Sequence, residues 1–238
     1  MNTNLARRIV AEGLGTAMLL ATVVGSGIMA ERLAGGNVAV ALLANTVATG
    51  AALVALILTF GGISGAQFNP AVTICDWMQG GLSKRDALAY IAAQIVGAFV
   101  GVAAANFMFE LPVFFTSQKV RTGSAQWFSE FVATFGLLAV IWGCVRLRSA
   151  VVVPFAVAAY ITAAYWFTAS TSFANPAVTL ARSMSDSFAG IRPADVPGFI
   201  VAQLLGAIAA TLLFRWLVPI TTQDAEAIII PHEETQNL

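Results

Sequence analysis

Charge is scarce in this chain, with 12 basic and 12 acidic residues among 238 and a formal net charge of zero. Without a basic excess there is no footprint for nucleic acid and no polybasic segment for an anionic lipid surface. The single histidine, His232, lies in the C-terminal stretch. No nucleophile and base are therefore paired, and an enzyme is the most distant of the functional classes. Two cysteines, Cys75 and Cys144, stand in apolar surroundings without metal-ligand spacing or the pattern of a secreted disulfide scaffold, and read as buried free thiols. Neither a metal nor a cofactor is expected. The basic start, Met1 to Arg8, lacks the short apolar core and cleavage box of a signal peptide, and reads as the lead-in to a retained first span.

What the chain has in abundance is apolar length. Its composition is 58% hydrophobic, with a mean hydropathy of +0.82. Six stretches reach the roughly 20 residues that a spanning helix needs: about 8–30, 38–60, 87–109, 125–145, 150–169 and 198–218. Two further apolar pieces, about 65–80 and 172–186, are too short to cross. Backbone of that kind survives at membrane depth only against protein or a water-filled cavity.

The short pieces carry one string twice, Asn69-Pro70-Ala71 and Asn175-Pro176-Ala177, and other landmarks repeat in step. Glu12 and Thr16 match Glu130 and Thr134, Asp86 matches Asp195, and Gln94 matches Gln203. From Glu to Asn the first copy runs 57 residues and the second 45, the surplus falling in a longer connection at 31–37. Three spans per copy is an odd number, so the second copy enters the bilayer from the opposite face. The duplication is an inverted repeat, about 8–109 and 125–218. The expected fold is an all-α membrane protein with six transmembrane helices and two re-entrant half-helices in one domain over 1–218, followed by a cytoplasmic tail over 219–238. Lys and Arg divide seven to five in favour of cytoplasmic N- and C-termini.

A helix N-terminus exposes unpaired N–H groups and a partial positive charge. Two half-helices meeting head to head bring both positive ends, and the amides of Asn69 and Asn175, to one region. Proline after each Asn is tolerated in the first helical turn. Such a site offers hydrogen bonds to a neutral oxygen-bearing solute and repels cations. Glu12 and Glu130, buried within spans, are expected to hold the irregular backbone before each Asn-Pro by hydrogen bonds rather than to relay protons, with Gln94 and Gln203 in the same role. Gly97 and Gly101 are spaced for a close helix crossing.

With its paired Asn-Pro-Ala, its Glu-x-x-x-Thr in spans one and four and its Gln in spans three and six, the chain resembles the aquaporin and aquaglyceroporin family, the major intrinsic proteins, over about 8–218. The resemblance implies a homotetramer in a bacterial inner membrane, each protomer passively conducting small uncharged molecules. It also implies a second constriction toward the outer face at Thr49, Ala163, Ser172 and Val178. Of these, Ala163 is counted back twelve residues from Asn175 across a connection of variable length. The first of these positions is commonly aromatic in the family and the last arginine, whereas here they are Thr and Val. The chain thus resembles members with relaxed filters, which carry glycerol, urea or neutral metalloid acids such as arsenite, and bacterial arsenical channels of this Val-for-Arg kind. The alternatives are a water and glycerol facilitator without an arsenical role and, from another class, an ion-coupled secondary transporter.

Asp76 and Arg182, each seven residues past its Asn, put opposite charges at equivalent points of the two half-helices. One reading places both at the pore mouths. The pore-facing sector of a half-helix is narrow, which favours the other reading: Arg182 pairs with Asp186 or snorkels to headgroups, and Asp76 caps or pairs nearby.

Overall fold

The computed structural model describes residues 4–219. Eight α-helices follow in order among them: α1 Leu5–Leu33, α2 Val38–Ser64, α3 Pro70–Met78, α4 Lys84–Met108, α5 Ser124–Leu147, α6 Val153–Phe167, α7 Pro176–Arg182 and α8 Val196–Leu217. Six of the helical segments, all but α3 and α7, are long and apolar enough to cross a membrane, and no strand occurs among the described residues. The expected spans and short pieces are all present, so the molecule is a multi-pass, all-α membrane protein. The tail assigned to 219–238 lies, beyond Pro219, outside the described residues.

Local chemistry sets the helix ends. Asn4 caps α1 by accepting from Arg7 N–H at 3.0 Å, and Asn37 caps α2 by accepting from Ala39 and Val40, each side-chain oxygen satisfying donors that have no helical partner. Gly65 ends α2 at φ 87°, in the left-handed region that glycine enters without penalty. α6 and α8 open on single 3₁₀ turns at Ala150–Val152 and Pro193–Asp195.

Packing follows the repeat. α1 lies against α2 and α4, α5 against α6 and α8, and α2 meets α6 between the halves. The half-helices cross over: α3 touches α4 and α8, α7 touches α8 and α4, and the two touch each other. Apolar side chains such as Val96, Val100, Phe128, Val201, Leu205 and Trp216 stay exposed on the outer faces, where lipid rather than water is the solvent. Between helices the driving force is close packing. A Cβ on Gly97 would strike the carbonyl oxygen of Gly13, and one on Gly101 that of Ala17. In the second half Gly206, equivalent to Gly97, meets Phe131 O, equivalent to Gly13, in the same way. The expected close crossing is present twice.

The connection between the halves, residues 109–123, folds back over the chain that follows α7. Ser117 N donates to Ser183 O at 2.9 Å and Arg192 N to Lys119 O at 2.7 Å.

Candidate functional site

The two re-entrant segments reach their half-helices by the same unusual backbone. Counting back from each Asn, the first, third and fourth residues are left-handed in both copies: Phe68, Ala66 and Gly65 in the first, Ala174, Ser172 and Thr171 in the second. Five of the six carry a Cβ, and each such residue costs about 1–2 kcal/mol relative to an ordinary conformation. A buried carboxylate offsets this in each half. Glu12 accepts from the N–H groups of Gln67 and Phe68 at 2.9 and 2.7 Å, and Glu130 accepts from Phe173 and Ala174, both at 2.9 Å.

Behind the carboxylates, Gln94 Nε2 donates to Glu12 and to Thr73 Oγ1, and Gln203 Nε2 donates to Glu130 and to Thr179 Oγ1. Both threonines in turn donate to the carbonyl of their Asn. All four buried polar residues thus sit in hydrogen-bonded frames around the re-entrant backbone.

Each Asn caps its half-helix and also crosses to the other half. Asn69 Oδ1 accepts from Ala71 N–H at 2.9 Å, and Asn175 Oδ1 from Ala177 and Val178. Asn69 Nδ2 donates to Ala174 O at 2.8 Å, and Asn175 Nδ2 to Phe68 O at 2.7 Å. Each amide therefore spends one N–H across the junction and has a second N–H left over. Pro70 and Pro176 occupy the first helical position, and Ala71 and Ala177 are almost fully buried against the junction.

A cavity of about 360 Å³ runs past this junction. It is lined by Ala150 and Val151 of the opening turn and along α6 from Val153 to Tyr165, about 18 Å of helix at 1.5 Å per residue. Both Asn side chains border it, together with Thr49, Ser172 and Val178, and apolar residues form most of the remaining wall.

The fourth position counted from sequence does not join them. Ala163 is on the exposed side of α6 and does not border the cavity. Tyr165, two residues further along, is buried on the cavity side and donates from its hydroxyl to Thr49 Oγ1 at 3.4 Å. The count runs across residues 168–174, a longer connection than residues 65–68 of the first copy, whose length alone does not fix the rotation of α6. The spaced wall residues Pro154, Val157, Ile161 and Tyr165 mark the true face. Their helical periodicity was the available signal.

Arg182 also departs from the expected arrangement. It is 2% exposed, its Nε donates to the Ala189 carbonyl, and its guanidinium carbon stands 3.3 Å from the centroid of the Phe173 ring. Asp186, its expected partner, instead accepts from Gln118 N–H at 2.9 Å. The side chain borders the cavity, neither paired nor snorkelling.

Asp76, at the equivalent point of α3, is held differently. It accepts from Gln67 Nε2 at 2.8 Å and does not border the cavity. The repeat thus pairs the same two positions chemically differently: Gln67 with Asp76 by a hydrogen bond, Phe173 with Arg182 by a cation–π contact. Outside α7, burial together with Arg121 and Arg182 brings the Lys119 ammonium down to about 8. Among the described residues no cluster of three or more His, Cys, Asp or Glu is placed to hold a metal ion.

Comparison with known proteins bears on this geometry. The family model described as Major intrinsic protein matches residues 1–152 and 145–237. Aquaglyceroporin AqpS of Rhizobium meliloti (strain 1021) is 57% identical over 226 residues, covering 95% of this chain and 94% of that protein. The probable aquaporin AqpM of Archaeoglobus fulgidus is 30% identical, covering 91% and 99%. Among solved structures, the aquaglyceroporin from Plasmodium falciparum superposes with a TM-score of 0.65 at 20% identity, over 94% of this chain and all of that one, a likeness of fold.

Proposed function

The chain belongs to the major intrinsic protein family, and on that premise we propose that it is a passive channel for small uncharged solutes of the glycerol class, metalloid acids included. Members of this family are channels, not enzymes. The observation that carries the reading is the meeting of two capped half-helices, each Asn crossing to the other half, at the wall of a cavity that runs along α6. Positive helix ends and spare amide N–H groups favour an oxygen-bearing neutral solute and oppose cations.

Thr49, Tyr165, Ser172 and Val178 form the outer constriction in this reading. Val178 brings neither the charge nor the bulk of an arginine, which admits solutes wider than water. Glycerol fits the name of the aquaglyceroporin relative. Arsenous acid and methylated arsenicals, when neutral, are similarly small and hydroxylated. The proposal extends to a homotetramer in a bacterial inner membrane with both termini in the cytoplasm, and cross-linking and protease accessibility test the oligomeric state and the orientation.

Stopped-flow light scattering on proteoliposomes tests the conductance. Swelling in glycerol, urea and arsenite is expected without coupling to proton or sodium gradients and without saturation at modest concentration. Gradient-driven accumulation would instead indicate a secondary transporter. Val178→Arg should lower glycerol flux roughly tenfold or more while water still passes; undiminished glycerol flux removes position 178 from the filter.

A further inference from the structure

We propose that Arg182 is the specificity-determining cation of this pore. With the hydroxyl of Ser172 it forms an outer station that hydrogen-bonds the oxygen of a passing solute and turns cations away. The inference rests on the channel reading above and deepens it.

Among the described residues that border the cavity, Arg182 is the one charged side chain. Its neighbours Arg121 and Lys119 are committed elsewhere: Arg121 donates to the carbonyls of Gly190 and Ser170, and Lys119 to that of Phe188. Neither borders the cavity. Arg182 spends only Nε on protein, and among the described residues its two terminal nitrogens have no hydrogen-bond partner. Phe173 seats the guanidinium plane, and the left-handed turn at Ser172 fixes the re-entrant backbone beside it.

Ser172 supplies the second, independent observation. It is 2% exposed, borders the cavity, and its Oγ is buried without a partner. A buried hydroxyl left unpaired is unfavourable unless something transient pairs with it. Donors on Arg182 and a donor–acceptor on Ser172 suit a neutral hydroxylated solute. Arg182 lies one helical turn past Val178, so its side chain leaves α7 about 6 Å further along than an arginine at 178 would, and its guanidinium rests on Phe173. The opening beside Val178 therefore stays wide while the cation barrier is kept.

The test uses the full-length protein in proteoliposomes, reading glycerol flux, water flux and proton leak together. Wild-type glycerol flux must be present first, and its absence refutes the channel reading irrespective of Arg182. Arg182→Gln is expected to raise proton leak roughly tenfold or more, since one charge is lost from a poorly screened site, while Arg182→Lys keeps it low. Arg182→Met, similar in reach and apolar, gives the same reading should Gln not reconstitute. Ser172→Ala is expected to cut glycerol flux roughly threefold or more, and undiminished glycerol flux removes Ser172 from the station. Leak unchanged in both neutral variants overturns the proposal. Leak equally raised in Arg182→Lys also overturns it, because packing rather than charge would then be responsible.

Discussion

At the proposed outer constriction the reading turns on single residues, and Tyr165 and Ala163 are the clearest pair. They are two residues apart on α6, yet one borders the cavity and the other faces outward, because two steps along a helix turn a side chain by about 200°. Ala163→Leu is expected to leave glycerol and water flux within about twofold of wild type, since it adds an apolar group on a face that is already exposed. Tyr165→Ala removes both ring and hydroxyl from the constriction, and stopped-flow measurement should show a changed ratio of glycerol to water flux. Equal responses from the two variants would contradict the assignment of Tyr165 to the wall. Counting from the nearer motif brings Thr49, Ser172 and Val178 to the cavity wall. It misses the wall residue of α6, because residues 168–174 form a longer connection than residues 65–68 do in the first copy, and nothing local in the sequence specifies its course.

The re-entrant segments as elements depend on Glu12 and Glu130. Each carboxylate accepts from two consecutive backbone N–H groups that no helix satisfies. Glu130→Gln keeps the shape but turns one acceptor oxygen into an NH₂ group facing donors. The expected loss is roughly 2–3 kcal/mol, read as a lower midpoint of thermal unfolding in detergent and as reduced flux. Glu12→Gln should behave alike, except that Ser64 also donates to this carboxylate at 2.6 Å and adds a further unmatched donor. Conversely, a proton-relay role predicts coupled transport lost in the Gln variants with stability intact. The doubled Glu, Gln and Thr spacing made the role of these frames legible, because each copy repeats the same donors against the same acceptor. The exchange of Gln67–Asp76 for Phe173–Arg182 could not be read this way, since it is where the copies differ in chemistry.

Over the whole molecule the inverted repeat closes two equivalent helix pairs, α1 with α4 and α5 with α8, on glycine contacts. Gly97→Leu is expected to force α1 from α4 and so to displace the Glu12–Gln94 frame, abolishing flux and lowering the yield of folded protein, seen as loss of the monodisperse peak in size-exclusion chromatography. A substitution at an exposed apolar position of the same helix, Val100→Leu, should leave both unchanged. The order of spans, their number and the opposed insertion of the short pieces were all determined by the sequence. Hydrophobic length, an odd number of spans per copy and the need to shelter irregular backbone admit few other topologies. What only the tertiary structure decided is which side chains face the cavity. Rotation about a helix axis depends on packing against neighbours far away in the chain, so Tyr165 displaced Ala163 from the wall. Arg182, expected to pair with Asp186, instead lies across Phe173 at the cavity wall.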